Sequence, residues 1–107
     1  MPRRASLRLG LAAVLASGCA PDAWRNDPAF NAYLDRVIKE CYPRTIGGMQ
    51  LHTAFTDAFV LDQTSRLYFR SIGPRQYATT IDAFYPGDNT AALTCINERI
   101  PGRSTGS

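Results

Sequence analysis

Asp27-Pro28-Ala29-Phe30-Asn31-Ala32-Tyr33-Leu34-Asp35-Arg36-Val37-Ile38-Lys39-Glu40-Cys41 carries the strongest periodic signal in this 107-residue chain. Within it Phe30, Tyr33, Leu34, Val37, Ile38 and Cys41 recur at offsets 0, 3, 4, 7, 8 and 11, one continuous apolar stripe at helical spacing. Asn31, Asp35, Arg36 and Lys39 take the opposite side, and Asp35 stands four residues before Lys39, the favourable order for a helical ion pair. Asp27 suits an N-cap, Pro28 suits the first helical position, and Pro43 stops the run. These residues predict an amphipathic helix that must bury its stripe against further elements.

Downstream, Ile46-Gly47-Gly48 reads as a turn and is too short for a phosphate-binding loop. Residues 49–69 are ambiguous, because Met49, Leu51, Thr53 and Phe55 alternate as in a strand while Leu51, Phe55 and Phe59 also fit helical spacing. A helix over 57–69 is preferred: Asp57 can cap it, Asp62 precedes Arg66 by four, and an isolated hairpin between helices is marginal. The alternative is a hairpin joining Phe59-Val60-Leu61 to Leu67-Tyr68-Phe69. Gly73-Pro74 opens a third helix carrying Tyr77, Ile81, Phe84 and Tyr85, closed by Pro86-Gly87. Asp88 or Asn89 caps a fourth, with Ala92, Leu93, Cys95, Ile96 and Ile100 on its apolar side until Pro101-Gly102. The expected fold is all-α, a small bundle of about four short helices over 27–101, with a disordered polar tail at 102–107.

Upstream, Arg3, Arg4 and Arg8 precede a short apolar run over 9–16 and the small residues Ser17 and Gly18, the layout of a secretory signal. The stretch Leu15-Ala16-Ser17-Gly18-Cys19 resembles the lipobox of bacterial lipoproteins. The resemblance covers residues 1–19 and implies removal of 1–18 and attachment of a diacylglyceryl group to the Cys19 sulfur. It also implies a lipidated tether over 19–26. Ala20 rather than Asp follows the cysteine, so the resemblance points to the periplasmic face of the outer membrane of a Gram-negative bacterium. Two or three acyl chains, at about 0.8 kcal/mol per buried methylene, hold a protein on a membrane almost permanently. No apolar run approaches the ~18 residues of a membrane-spanning helix.

With Cys19 committed to lipid, Cys41 and Cys95 remain as an even pair in an oxidising compartment, and a disulfide between them is expected. The alternative is two buried free thiols. The charge divides in the same way. Of twelve basic residues three lie in 1–18, which holds none of the nine acidic ones, so the rest of the chain carries nine of each and is neutral. The formal +3 of the whole chain therefore belongs to the signal, and nucleic-acid binding loses its electrostatic premise.

Residues able to carry chemistry are few. His52 is the single histidine, no local motif sets Ser65 or another nucleophile beside a base, and too few ligands remain for a zinc site. No cofactor or metal is expected. Arg66, Arg70 and Arg75 lie close enough in sequence to meet lipid phosphates, an anionic glycan or an acidic partner, although Asp62 can pair with Arg66. Trp24 suits either the membrane interface or packing against the first helix. The aromatics Tyr42, Tyr68, Phe69, Tyr77, Phe84 and Tyr85 exceed what four short helices bury easily, which leaves some for a contact patch. The expected function is that of a small, non-catalytic, lipid-anchored envelope protein acting through another envelope component, a protein or a glycan. A periplasmic inhibitor or exclusion protein is the alternative, and a small hydrolase assembled by folding is the second.

Overall fold

A computed structural model of the chain describes residues 26–103. The predicted first helix is α1, Pro28–Glu40. Asp27 Oδ1 accepts the Phe30 N–H at 2.8 Å and Pro28 occupies the first turn, so the orphan amides there are met as the sequence suggests. Its stripe of Phe30, Tyr33, Leu34 and Val37 is buried. Side chains of this size each contribute about 1.5–3 kcal/mol when fully buried.

After α1 the chain makes a hairpin that an all-α reading does not contain. Strand β1, Thr45–Ile46, pairs antiparallel with β2, Met49–Gln50, in the register Thr45 to Gln50 and Ile46 to Met49. Gly47 and Gly48 both take positive φ, at 57° and 81°, as two-residue hairpin loops of the primed types require. Each strand has two residues, too short for an alternation to show. The hairpin is stable here because Ile46 is fully buried in the common core with Val60, Leu67, Tyr77, Ile81 and Ile96. The expected all-α bundle of about four helices is thus corrected: the fold is mostly helical, with five helices among the described residues and one small sheet.

The added helix, α2, Leu51–Ala54, is a single turn that buries Leu51 and Ala54. Helix α3, Ala58–Tyr68, starts on Asp57, whose carboxylate accepts the N–H groups of Phe59 and Val60 at 2.8 and 3.2 Å. The ambiguity over 49–69 thus resolves into strand, helical turn and helix in succession. Helix α4, Pro74–Phe84, buries Tyr77 and Ile81, and α5, Thr90–Glu98, buries Ala92, Leu93, Cys95 and Ile96. No helix among the described residues is long and apolar enough to cross a membrane.

A disulfide joins Cys41, just beyond α1, to Cys95 in α5, with Cα atoms 5.9 Å apart. Beside it Tyr33 donates its hydroxyl proton to the Ile96 carbonyl at 2.7 Å, Arg36 donates to the Arg99 carbonyl at 2.6 Å, and Arg99 pairs with Glu40 at 2.7 Å. The two outer helices are therefore held by covalent, buried polar and exposed ionic links together. At the end of the described chain Arg103 donates to the Asn97 side chain at 2.7 Å. The remainder of the expected tail, 104–107, the signal, Cys19 and residues 20–25 of the tether lie outside the described residues.

Candidate functional site

The domain has two chemically different ends, set by the run of α3. At the end of α3 the rings of Tyr68 and Phe69 meet those of Phe30 and Tyr33 at the start of α1. The centroids are 5.2 Å apart for Phe30 and Tyr68, 4.8 Å for Tyr33 and Tyr68, and 5.9 Å for Phe30 and Phe69. Phe69 remains 48% exposed.

The next residue, Arg70, closes α3 in the left-handed region, with φ 64°. The Arg70 and Ser71 N–H groups return to the Leu67 and Arg66 carbonyls at 3.1 and 2.8 Å, the bonding of a Schellman cap. Glycine usually takes that position, since a Cβ there costs on the order of 1 kcal/mol. Arg70 also sends Nη2 to the Pro101 carbonyl at 3.0 Å, which brings the chain after α5 to the same end. Arg75 sits in the first turn of α4, exposed and with no side-chain hydrogen bond or ion pair among the described residues. Arg66, one turn before Arg70, pairs with Asp62 at 2.9 Å, as its spacing suggests. Of the three arginines read from the sequence, Arg70 and Arg75 therefore flank the same short loop, while Arg66 is engaged within its own helix.

The opposite end collects the start of α3, the end of α4 and the hairpin turn. Phe84 stacks on Phe59 with centroids 4.6 Å apart and is 63% exposed. Asp57, besides capping α3, lies near enough to the Tyr85 hydroxyl for each to shift the other's ionisation. The Val60 amide above all, then the Tyr85 and Phe59 donors, hold the Asp57 carboxyl below its usual range against an opposing effect of partial desolvation. Tyr85 is pushed up, first by desolvation and then by the Asp57 carboxylate. Asn89 organises this end. Only 1% exposed, it accepts the Gly47 N–H at 2.7 Å and donates to the Tyr85 carbonyl at 2.8 Å and to Asp82 at 2.9 Å. It stands at the N-cap position of α5, but its side chain makes no cap bond.

Other residues singled out by the sequence are accounted for locally. Ser65 is buried and its hydroxyl donates to the Asp62 carbonyl at 2.7 Å, the back-bonding of a helical serine. His52 is exposed on α2. Among the described residues no group of three or more His, Cys, Asp or Glu is placed to hold a metal ion. Two buried hydroxyl contacts went unread in the sequence: Tyr33 with Ile96, and Tyr77 with Thr64 at 2.8 Å. Burial pushes both phenols well above the ordinary tyrosine range. Neither has a local signal, because each partner lies on a different element.

What the arrangement offers chemically is contact: an aromatic and arginine end where α1 begins, and an aromatic and carboxylate end opposite it. Family models, curated proteins and solved structures were compared with the chain, and none matches it.

Proposed function

We propose that the chain is exported, cleaved before Cys19, lipidated on that cysteine, and acts without catalysis as a small envelope protein that touches another envelope component. The observation that carries the reading is the run Leu15-Ala16-Ser17-Gly18-Cys19, followed after eight residues by the capped start of α1. A tether of that length reaches at most about 28 Å, so the domain works close to the leaflet that anchors it. Ala20 after the cysteine favours the periplasmic face of the outer membrane in a Gram-negative cell. The exposed Phe84, braced against Phe59, is an apolar contact of the kind partners use, and it stands at the end of the domain opposite the start of α1.

Fractionation of cells making Cys19→Ala tests the anchor. The wild type is expected in the membrane fraction and the variant, with altered mobility, outside it; an unshifted variant that stays with the membrane sinks the reading. A photo-crosslinking side chain at position 84 in intact cells tests the contact, and a discrete adduct with one envelope component is the expected result. Purified domain that blocks lysozyme instead favours the inhibitor alternative.

A further inference from the structure

We propose that the end of the domain where α1 begins docks on the anionic phospholipid surface, with the Phe69 ring in the headgroup layer and Arg70 and Arg75 on lipid phosphates. The proposal rests on lipidation of Cys19.

Three observations carry it. The exposed Phe69 ring lies 5.9 Å from the ring of Phe30, at the end of the domain where α1 begins, and a lipidated Cys19 keeps that end within about 28 Å of the bilayer. Charge is distributed to match. Arg70 and Arg75 flank the loop after Phe69, and Arg103 follows closely on Pro101, which Arg70 contacts. Two acids close to them in the chain are paired with other arginines: Asp62 with Arg66 at 2.9 Å and Glu98 with Arg99 at 3.9 Å. Asp57 and Asp82 instead lie at the far end, Asp57 capping α3 and Asp82 bonded to Asn89. The Phe69 end thus presents Arg70, Arg75 and Arg103 to an anionic leaflet.

The third observation is the backbone of Arg70. At φ 64° an arginine occupies a helix end that glycine fills at lower cost. Its guanidinium spends one of five donors on Pro101, and the rest remain for phosphate oxygens. An exposed apolar ring beside a cationic helix end pairs burial at the boundary of headgroups and acyl chains with contact to phosphate, the division of labour of interfacial segments.

The test uses the full lipidated chain in vesicles of phosphatidylglycerol and phosphatidylethanolamine containing a doxyl-labelled lipid quencher. Trp24→Phe removes the one native indole, and Phe69→Trp or Phe84→Trp then places a reporter at either end. The Phe69→Trp reporter is expected to shift to the blue and lose emission to the quencher, while the Phe84→Trp reporter keeps its emission. Arg75→Gln in the Phe69→Trp background lowers the docking equilibrium roughly fivefold, the effect of one basic residue near an anionic surface. Arg70→Gly also loses docking while its Tm does not fall, which separates a lipid contact from a purely structural role. Equal quenching at both ends, no quenching at position 69, or indifference to both arginine changes overturns the proposal. Flotation of the wild type with the vesicles separates the two claims: if it does not float, lipidation and docking both fall, and if it floats with position 69 unquenched, docking alone falls.

Discussion

Asn89 shows how much one side chain can fix. Its amide satisfies a hairpin N–H, a helix-end carbonyl and a carboxylate from full burial, so the turn at Gly47, the end of α4 and the start of α5 share one residue. Asn89→Ala leaves the Gly47 N–H and the Tyr85 carbonyl without it and is expected to destabilise the domain by about 2–3 kcal/mol, read as a lowered urea midpoint at unchanged m. The sequence showed Asn89, with Asp88, as a candidate cap of the last helix after the Pro86-Gly87 stop. Its real partners are 42, 7 and 4 residues away in the chain, and only the middle distance of a folded core makes them visible. Arg70 was equally opaque, since nothing in its neighbours announces a left-handed arginine.

Asp57 belongs to the same scale and brings a pH dependence. Its carboxyl is held low in the folded state by amide and hydroxyl donors, so the folded protein binds that proton less readily than the unfolded chain. The stabilisation is therefore present above the unfolded value of about 3.9 and fades as pH falls through the lower folded value. Asp57→Asn keeps an acceptor for the cap but does not titrate. Its urea midpoint should fall less steeply than that of the wild type between about pH 5 and pH 2; parallel curves would refute this role for Asp57.

Among elements, legibility tracked redundancy. In α1 the cap, the proline, the stripe and the stop all agree, and the helix appears over Pro28–Glu40. Over 49–55 two periodicities compete, and the structure uses both, a strand at Met49–Gln50 and a helical turn at Leu51–Ala54. The glycine pair marked its turn, yet strands of two residues leave no pattern to read, so the sheet could be known only from the fold. The Cys41–Cys95 link was legible by pairing once Cys19 was set aside. In the chain-entropy model, closing its 54-residue loop is worth about 4 kcal/mol. Cys41→Ser with Cys95→Ser is expected to lower stability by that order, and a double variant as stable as the wild type would show that the surrounding bonds of Tyr33, Arg36 and Arg99 suffice alone.

For the molecule as a whole, the position of that disulfide governs how the protein carries a load. A pull between a lipid held in one leaflet and a grip on the C-terminal tail runs through α1, crosses from Cys41 to Cys95 and leaves through α5. The hairpin, α2, α3 and α4 hang from this path as a covalently closed loop, outside the direct line of tension. Pulling single molecules by their two ends should accordingly release about 190 Å less contour length in the oxidised than in the reduced state, the extent of 54 residues at ~3.5 Å each. The proposed anchor would load the terminal helices first, with the disulfide-closed loop outside the direct path of the force.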